Sequence, residues 1–429
     1  MYLCRRLRLT KLNKRKIIND PVYGFITLPN DFIFDIVQHR YVQRLRYIKQ
    51  VSMTHLVYPG ALHTRFHHAL GAMHLMSLAL DTLESKGIEI NPEEKEAAMA
   101  AILLHDVGHG PFSHSLESTI VEGVSHELIS ELLMDDLDRQ FNGRLQLAKA
   151  IFNNQYHKKF LHQLVSSQLD TDRMDYLNRD SFFTGVSEGV ISFDRIIKMF
   201  NVVNNELVVE QKGIYSVEKF LIARRLMYWQ VYLHKTVLSA EGMLIQILKR
   251  AKAVYQNGGN LPVSPSLEHF LCNQLDRQHF VIDPSHLQHF ANLDDVDILA
   301  AIKSWTVNPD PVLSDLCSRL INRNLYHTEL VDAVPDVTFI HDLKSLAKSQ
   351  MEISDELMDY YIWTQEVVNS AYNQDHEPIQ ILMKDGSVQD ISKASDLSNV
   401  EVLSNKVKKY AVTFPKELLK VLDLNNIID

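Results

Sequence analysis

His105-Asp106-Val107-Gly108-His109-Gly110-Pro111-Phe112-Ser113-His114 is the stretch on which the reading of this 429-residue chain turns. It follows the apolar run Ala97 to Leu104, whose spacing predicts a helix. Gly108, Gly110 and Pro111 require that helix to end within a few residues of the His-Asp pair. A carboxylate at a helix C-terminus is disfavoured by the helix dipole by about 0.3–1 kcal/mol, so Asp106 there asks for a cation. One nitrogen and one oxygen ligand at a helix end, with two more histidines in the following loop, point to a metal site. That donor pair suits Mn²⁺, Fe²⁺, Mg²⁺ or Zn²⁺.

Outward from this run, most of residues 32 to 250 carries apolar residues at three- and four-residue spacing. Helices are expected over Phe32–Ile48, Ala69–Glu84, Glu93–Leu104, His126–Leu133 and Val217–Tyr255. Val202 to Val209 reads as a hairpin around Asn204-Asn205, and residues 256–266 read as a loop between helices. Beyond residue 330, strands are expected at Val337–Ile340, Ile379–Met383, Val388–Ile391 and Tyr410–Phe414, with a tight turn at Asp385-Gly386. The chain is therefore mostly α. The expected order is a basic arm and short extended segment over 1–31, a helical domain over 32–328 and an α+β lobe over 329–429.

Apolar content of 46% and charged content of 23% are those of a soluble globular protein. No apolar run reaches the roughly 20 residues that span a bilayer. Cys4, Cys272 and Cys317 are scattered and odd in number, which argues for a reducing cytoplasm and against a disulfide framework. The first sixteen residues hold seven Lys or Arg and no acid, a solvated arm. A net charge of −9 disfavours nucleic acid as a partner but leaves room for a small anionic substrate near local cations.

A mononuclear site needs three or four ligands from separate helices. Arg65-Phe66-His67-His68 opens one helix, and Asp170-Thr171-Asp172-Arg173-Met174-Asp175 lies in another. Together they supply His68, His105, Asp106 and Asp172. Beside them His109, His114, His126, Glu117 and Glu127 are candidate proton carriers, phosphate contacts and orienting partners.

These segments, with Lys16 to Gly24, Gln43 to Gln50, Tyr58 to Gly71, Asp170 to Asp180, Tyr232 to Lys235 and Arg323 to Tyr326, resemble the HD-domain metal-dependent phosphohydrolases. The likeness is to the deoxynucleoside triphosphate triphosphohydrolase branch, some of whose members carry a sterile-alpha-motif domain; none is expected here. It implies an HD-domain helical core. His68, His105, Asp106 and Asp172 match the ligands of one divalent metal ion, and a further Mg²⁺ is expected to travel with the nucleotide. His114 matches a catalytic histidine near the α-phosphate, His109 and His126 its neighbours, and Glu117 an acid paired with His126. Arg65, Arg173, Tyr176 and Arg224 match triphosphate contacts, Gln50 and Asp180 hold the sugar 3′-hydroxyl, and Val51 and Tyr232 crowd its 2′ position.

The resemblance also implies a homo-oligomer, a dimer or tetramer, activated by GTP or a dNTP at a pocket bordered by Lys16, Ile17, Asn19, Arg46 and Arg323. The chain departs from that pattern where His67 replaces a glutamate, Arg173 a lysine and His327 a pocket lysine. The expected activity is conversion of a dNTP to a deoxynucleoside and inorganic triphosphate. Two other readings compete: hydrolysis of another nucleotide or phosphate ester, and a non-catalytic nucleotide-binding oligomer.

Overall fold

A computed structural model of the chain describes residues 16–121, 123–351, 353–373, 377–396 and 403–420, with the side chains of 114 and 118 left out. The arm up to residue 15 lies outside the described residues. The architecture is mostly α, with three small sheets among the described residues. A main apolar core runs through it from Ile26 to Leu418, with a small second cluster of Leu238, Val367 and Ala411.

Three helices position the candidate metal ligands. Arg65–Ser85 starts at Thr64, whose hydroxyl and backbone both meet Nδ1 of His67. Pro92–Leu104 starts with a reciprocal cap, Asn91 accepting from the Glu94 amide and Glu94 from the Asn91 amide. Its residues Ala97 to Leu104 are all buried, and each large side chain among them contributes about 1.5–3 kcal/mol. It ends at Leu104 with His105 as its C-cap, as the glycines and proline require. Thr171–Thr184 is capped by Asp170, which accepts from the Arg173 amide, and is stopped by Gly185 at φ +76°.

Two long helical readings are broken in the structure. Phe32–Ile48 is two helices, Asp31–Gln38 and Arg40–Arg44, followed by a 3₁₀ turn. His39 leaves the helical region at ψ 142°, and its ring accepts from the Tyr41 amide to begin the second piece. Val217–Tyr255 divides into Ile214–Met227, a wide π turn Tyr228–Tyr232, and Lys235–Gln256. His234 restarts that last helix in the same way, accepting from the Thr236 amide.

Val337–Ile340 is not a strand. It opens the helix Val337–Met351, in which Leu343 and Ala347 are fully buried at a helical spacing that a four-residue β-prone window conceals. Two strands the sequence reading missed, His327–Val331 and Trp363–Asn369, flank Val407–Phe414 in an antiparallel sheet. The expected hairpin at Asn204-Asn205 forms, both residues having positive φ. Its strand Glu206–Glu210 pairs in parallel with Gln380–Leu382, which pairs in turn with Val388–Asp390.

Candidate metal centre and active site

The His105–His114 loop is held by groups remote in sequence. Buried Arg44 donates to the carbonyls of His109 and Leu293, both at 2.7 Å, and of Val107 at 3.3 Å. Asp295 accepts from the amides of Phe112 and Lys49 at 2.8 and 2.9 Å. Ser130 donates to the His105 carbonyl and accepts from the Gly108 amide. A Cβ at Gly108 would lie 2.2 Å from the His126 carbonyl oxygen, so only glycine permits this approach.

His68 and His105 then point their Nε2 atoms at one spot. Both Nδ1 atoms are engaged, His68 with Asp175 at 2.7 Å and His105 with the Ile102 carbonyl at 2.6 Å. Both Nε2 atoms are buried without a hydrogen-bond partner. Asp172 Oδ1 stands 3.1 and 3.5 Å from them; the Asp106 oxygens stand 3.3 Å from His105 and 3.7 Å from His68. Octahedral ligands at about 2.1 Å from an ion are about 3.0 Å apart, so this spacing fits His68, His105 and Asp172 around a divalent cation, with Asp106 at the edge of the group and also near His109 and His126. Burial disfavours charge on His68, yet Asp172 and Asp175 push it up to about 10, so the cage draws positive charge to its centre. Asp175 is in turn gripped by Arg179 through two bonds of 2.9 Å, and Arg179 reaches Asp20 at 2.8 Å.

Around the cage lie the other groups. Arg65 donates to Asp106 and, at 2.7 Å, to the Ser113 hydroxyl. Burial opposes the charge on Asp106, but His105, Arg65 and His109 hold it well below the usual carboxylate range. Burial, helped by the Arg65 cation, keeps His109 neutral, its pKa well below the ordinary value. His109 stacks on His126 with ring centres 3.9 Å apart. Glu117 accepts from the backbone amide of His126 at 2.6 Å and meets its Nδ1 at 3.0 Å, the pairing expected from sequence. The side chain of His114 lies outside the described ones.

A cavity of about 380 Å³ opens over these residues. From the sequence reading it gathers Gln50, Val51, Arg65, Asp106, His109, His126, Asp172, Arg173, Tyr176, Asp180, Arg224 and Tyr232. Arg173 is tied to Asp170, and Arg224 donates to the Ala371 carbonyl at 3.2 Å; the Nε atoms of both are buried and unpartnered. Asp180 accepts from the Tyr232 hydroxyl at 2.6 Å and contacts His63 at 2.7 Å.

Sequence reasoning passed over Arg44, His63, Asp175 and Arg179, which fix the groups that face the cavity. It also passed over Ser52, Thr54, Ser113, Ser115, Tyr228 and Glu241, which line it. Burial pushes the Glu241 carboxyl up to about 7 against the Ser115 and Ser52 hydroxyls and the Met53 amide. Lys16, Ile17, Asn19 and Arg46 line a separate cavity of about 350 Å³ with His67. Arg323 is not among its lining residues and donates instead to the Leu56 carbonyl.

Comparison with known proteins gives the family. The HD domain family matches residues 65–180, and the HD associated region matches residues 191–257. A phosphohydrolase of known crystal structure from Bacteroides thetaiotaomicron is 51% identical, with a TM-score of 0.90 over 94% of this chain and 100% of that one. The chain belongs to the HD-domain phosphohydrolases. Within the family, protein YwfO of Bacillus subtilis is 32% identical over 95% of this chain and 94% of its own length. The deoxynucleoside triphosphate triphosphohydrolase SAMHD1 homolog of Dictyostelium discoideum is 28% identical over 85% of this chain and 70% of its own. HD domains bind divalent metals, and the ligand atoms of His68, His105 and Asp172 lie within 4.8 Å of one another. Among the described residues no helix is long and apolar enough to cross a membrane.

Proposed function

We propose that this HD-domain phosphohydrolase is a metal-dependent dNTP triphosphohydrolase, releasing a deoxynucleoside and inorganic triphosphate. The observation that carries this reading is one cavity whose lining brings Asp106 and Asp172, next to His68 and His105, together with three arginines. Similarity to the Dictyostelium enzyme supports the choice of substrate.

His68, His105, Asp106 and Asp172 would hold the divalent ion. When bound, it would acidify a coordinated water and polarise a phosphoryl oxygen. Arg65, Arg173 and Arg224 engage the triphosphate, their planar guanidinium groups matching phosphate oxygens. Neutral His109 offers hydrogen bonds without adding charge, while Glu117 orients His126 for proton transfer to or from the α-phosphate region. By its match to the family's catalytic histidine, His114 is assigned to the same proton transfer. Tyr176, Tyr232 and Val51 enclose the sugar, and Gln50 and Asp180 receive its 3′-hydroxyl.

The cavity at Lys16, Ile17, Asn19 and Arg46 is assigned to an activating nucleotide, GTP or a dNTP. Arg323, outside that lining, would have to come from another subunit of a dimer or tetramer. Chromatography of reactions with each dNTP and with GTP, alone and mixed, in Mn²⁺ or Mg²⁺, tests the whole reading. Deoxynucleoside plus triphosphate is expected; monophosphate plus pyrophosphate, or turnover of a different phosphate ester alone, overturns it.

A further inference from the structure

A cavity that gathers arginines for a polyanion also holds a carboxylate whose neighbours are not arginines. Glu241 stands in the second turn of Lys235–Gln256 and lines the cavity beside Gln50, Val51, Ser52 and Ser115. Two hydroxyls, of Ser115 and Ser52, and the Met53 amide act on it. Those hydroxyls are 2.9 Å apart, and each has a single hydrogen, so one hydrogen spent between them leaves the carboxylate fewer donors. A carboxylate has about four acceptor positions, so at least one stays open to the cavity. On the same wall Gln50 Oε1 is buried with no partner. Once ionised, above about pH 7, the carboxylate tips this wall towards acceptors and repels phosphate.

Resting on the nucleotide reading above, we propose that Glu241 is a specificity-determining residue that receives the exocyclic amino group of the nucleobase. Bases with an amino group at that edge, cytosine and adenine, are preferred over those with a carbonyl there, uracil, thymine and hypoxanthine. A carbonyl oxygen set against the carboxylate leaves two acceptors facing one another. A hydrogen bond to a charged group is worth about 1.5–3 kcal/mol, which corresponds to roughly 10–100-fold discrimination.

The test compares kcat/KM of the full chain at pH 8 for two substrate pairs, dCTP against dUTP and dATP against dITP. The members of each pair differ at that edge. Wild type is expected to favour the amino member by about tenfold or more, and E241Q to reduce that ratio to within about threefold of unity. If Glu241 only braces the Ser52–Leu56 turn, E241Q lowers all four substrates alike and the ratios stay fixed, which overturns the proposal. Equal kcat/KM within each wild-type pair overturns it without any variant. If wild type cleaves no dNTP, the reaction assignment fails separately. Kd values of the same four nucleotides by calorimetry, in wild type and E241Q, then replace kcat/KM, and the same ratios support or overturn the role of Glu241.

Discussion

Asp175 touches no solvent, yet it holds one of the candidate metal ligands in place. It bonds Nδ1 of His68 at 2.7 Å, which fixes the ring so that Nε2 faces the cage. Loss of such an orienting partner typically costs about 10–100-fold in metal affinity. Asp175→Asn is expected to show that loss in a chelator competition titration. The variant should still fold, because Arg179 keeps its bond to Asp20. Unchanged affinity would show that packing alone sets the ring.

Glu241 makes a second, independent prediction about stability. Its carboxyl, raised to about 7 by burial, has an unfolded value near 4.3. Between those values the folded chain holds the proton more tightly than the unfolded one. The stability this contributes is complete below about pH 4.3 and is lost as pH rises through 7. Urea denaturation at pH 5 and pH 8 should therefore show wild type losing more stability than E241Q over that interval.

The packing of helix on helix turns single residues into geometric requirements. Arg65–Ser85 meets Thr171–Thr184 at Gly71, where a Cβ would lie 2.0 Å from Asp175 Oδ1 and 2.2 Å from an Arg179 terminal nitrogen. Gly71→Ala must push the helices apart or break the bonds that hold His68. Overpacking of this kind costs about 1–3 kcal/mol, so a lower Tm and reduced metal content are expected from thermal denaturation and metal analysis. A variant that keeps both would mean the interface is slack.

The same contrast between residue and element decides what the sequence alone makes legible. His68, His105, Asp106 and Asp172, candidate ligands that the structure brings near one another, are legible because those residue types at helix boundaries are chemically conspicuous. Helix ends are legible where punctuation is strong, as at Gly108, Gly110 and Pro111. The breaks at His39 and His234 are not, since a histidine accepting from an amide two residues on leaves no trace in apolar spacing. Arg44 and Asp175 bond the groups they position far along the chain, Asp175 reaching His68 and Arg44 the carbonyls of Val107 and His109. The strand expected at Val337–Ile340 shows the opposite error, four β-prone residues outweighing the longer helical period around them.

At the scale of the molecule, the segment after residue 329 supports the site. Gln380–Leu382 covers the edge of Glu206–Glu210, Gln168 exchanges bonds with the Asn373 backbone at 2.5 and 2.7 Å, and Ala371 holds Arg224. Trp363 packs so closely on Gly242 that a Cβ there would sit 2.6 Å from its ring. A chain cut at residue 328 would bare that apolar face and leave Glu206–Glu210 as an unpaired edge, a template for aggregation. It is expected to be insoluble or to elute as high-molecular-weight material. A loop nicked by protease in the intact protein should instead leave the two pieces associated through the shared core and the parallel strand pair. Size-exclusion chromatography of both samples decides the point: a soluble, metal-binding 1–328 fragment would show that the helical part stands alone and that the later residues are an accessory.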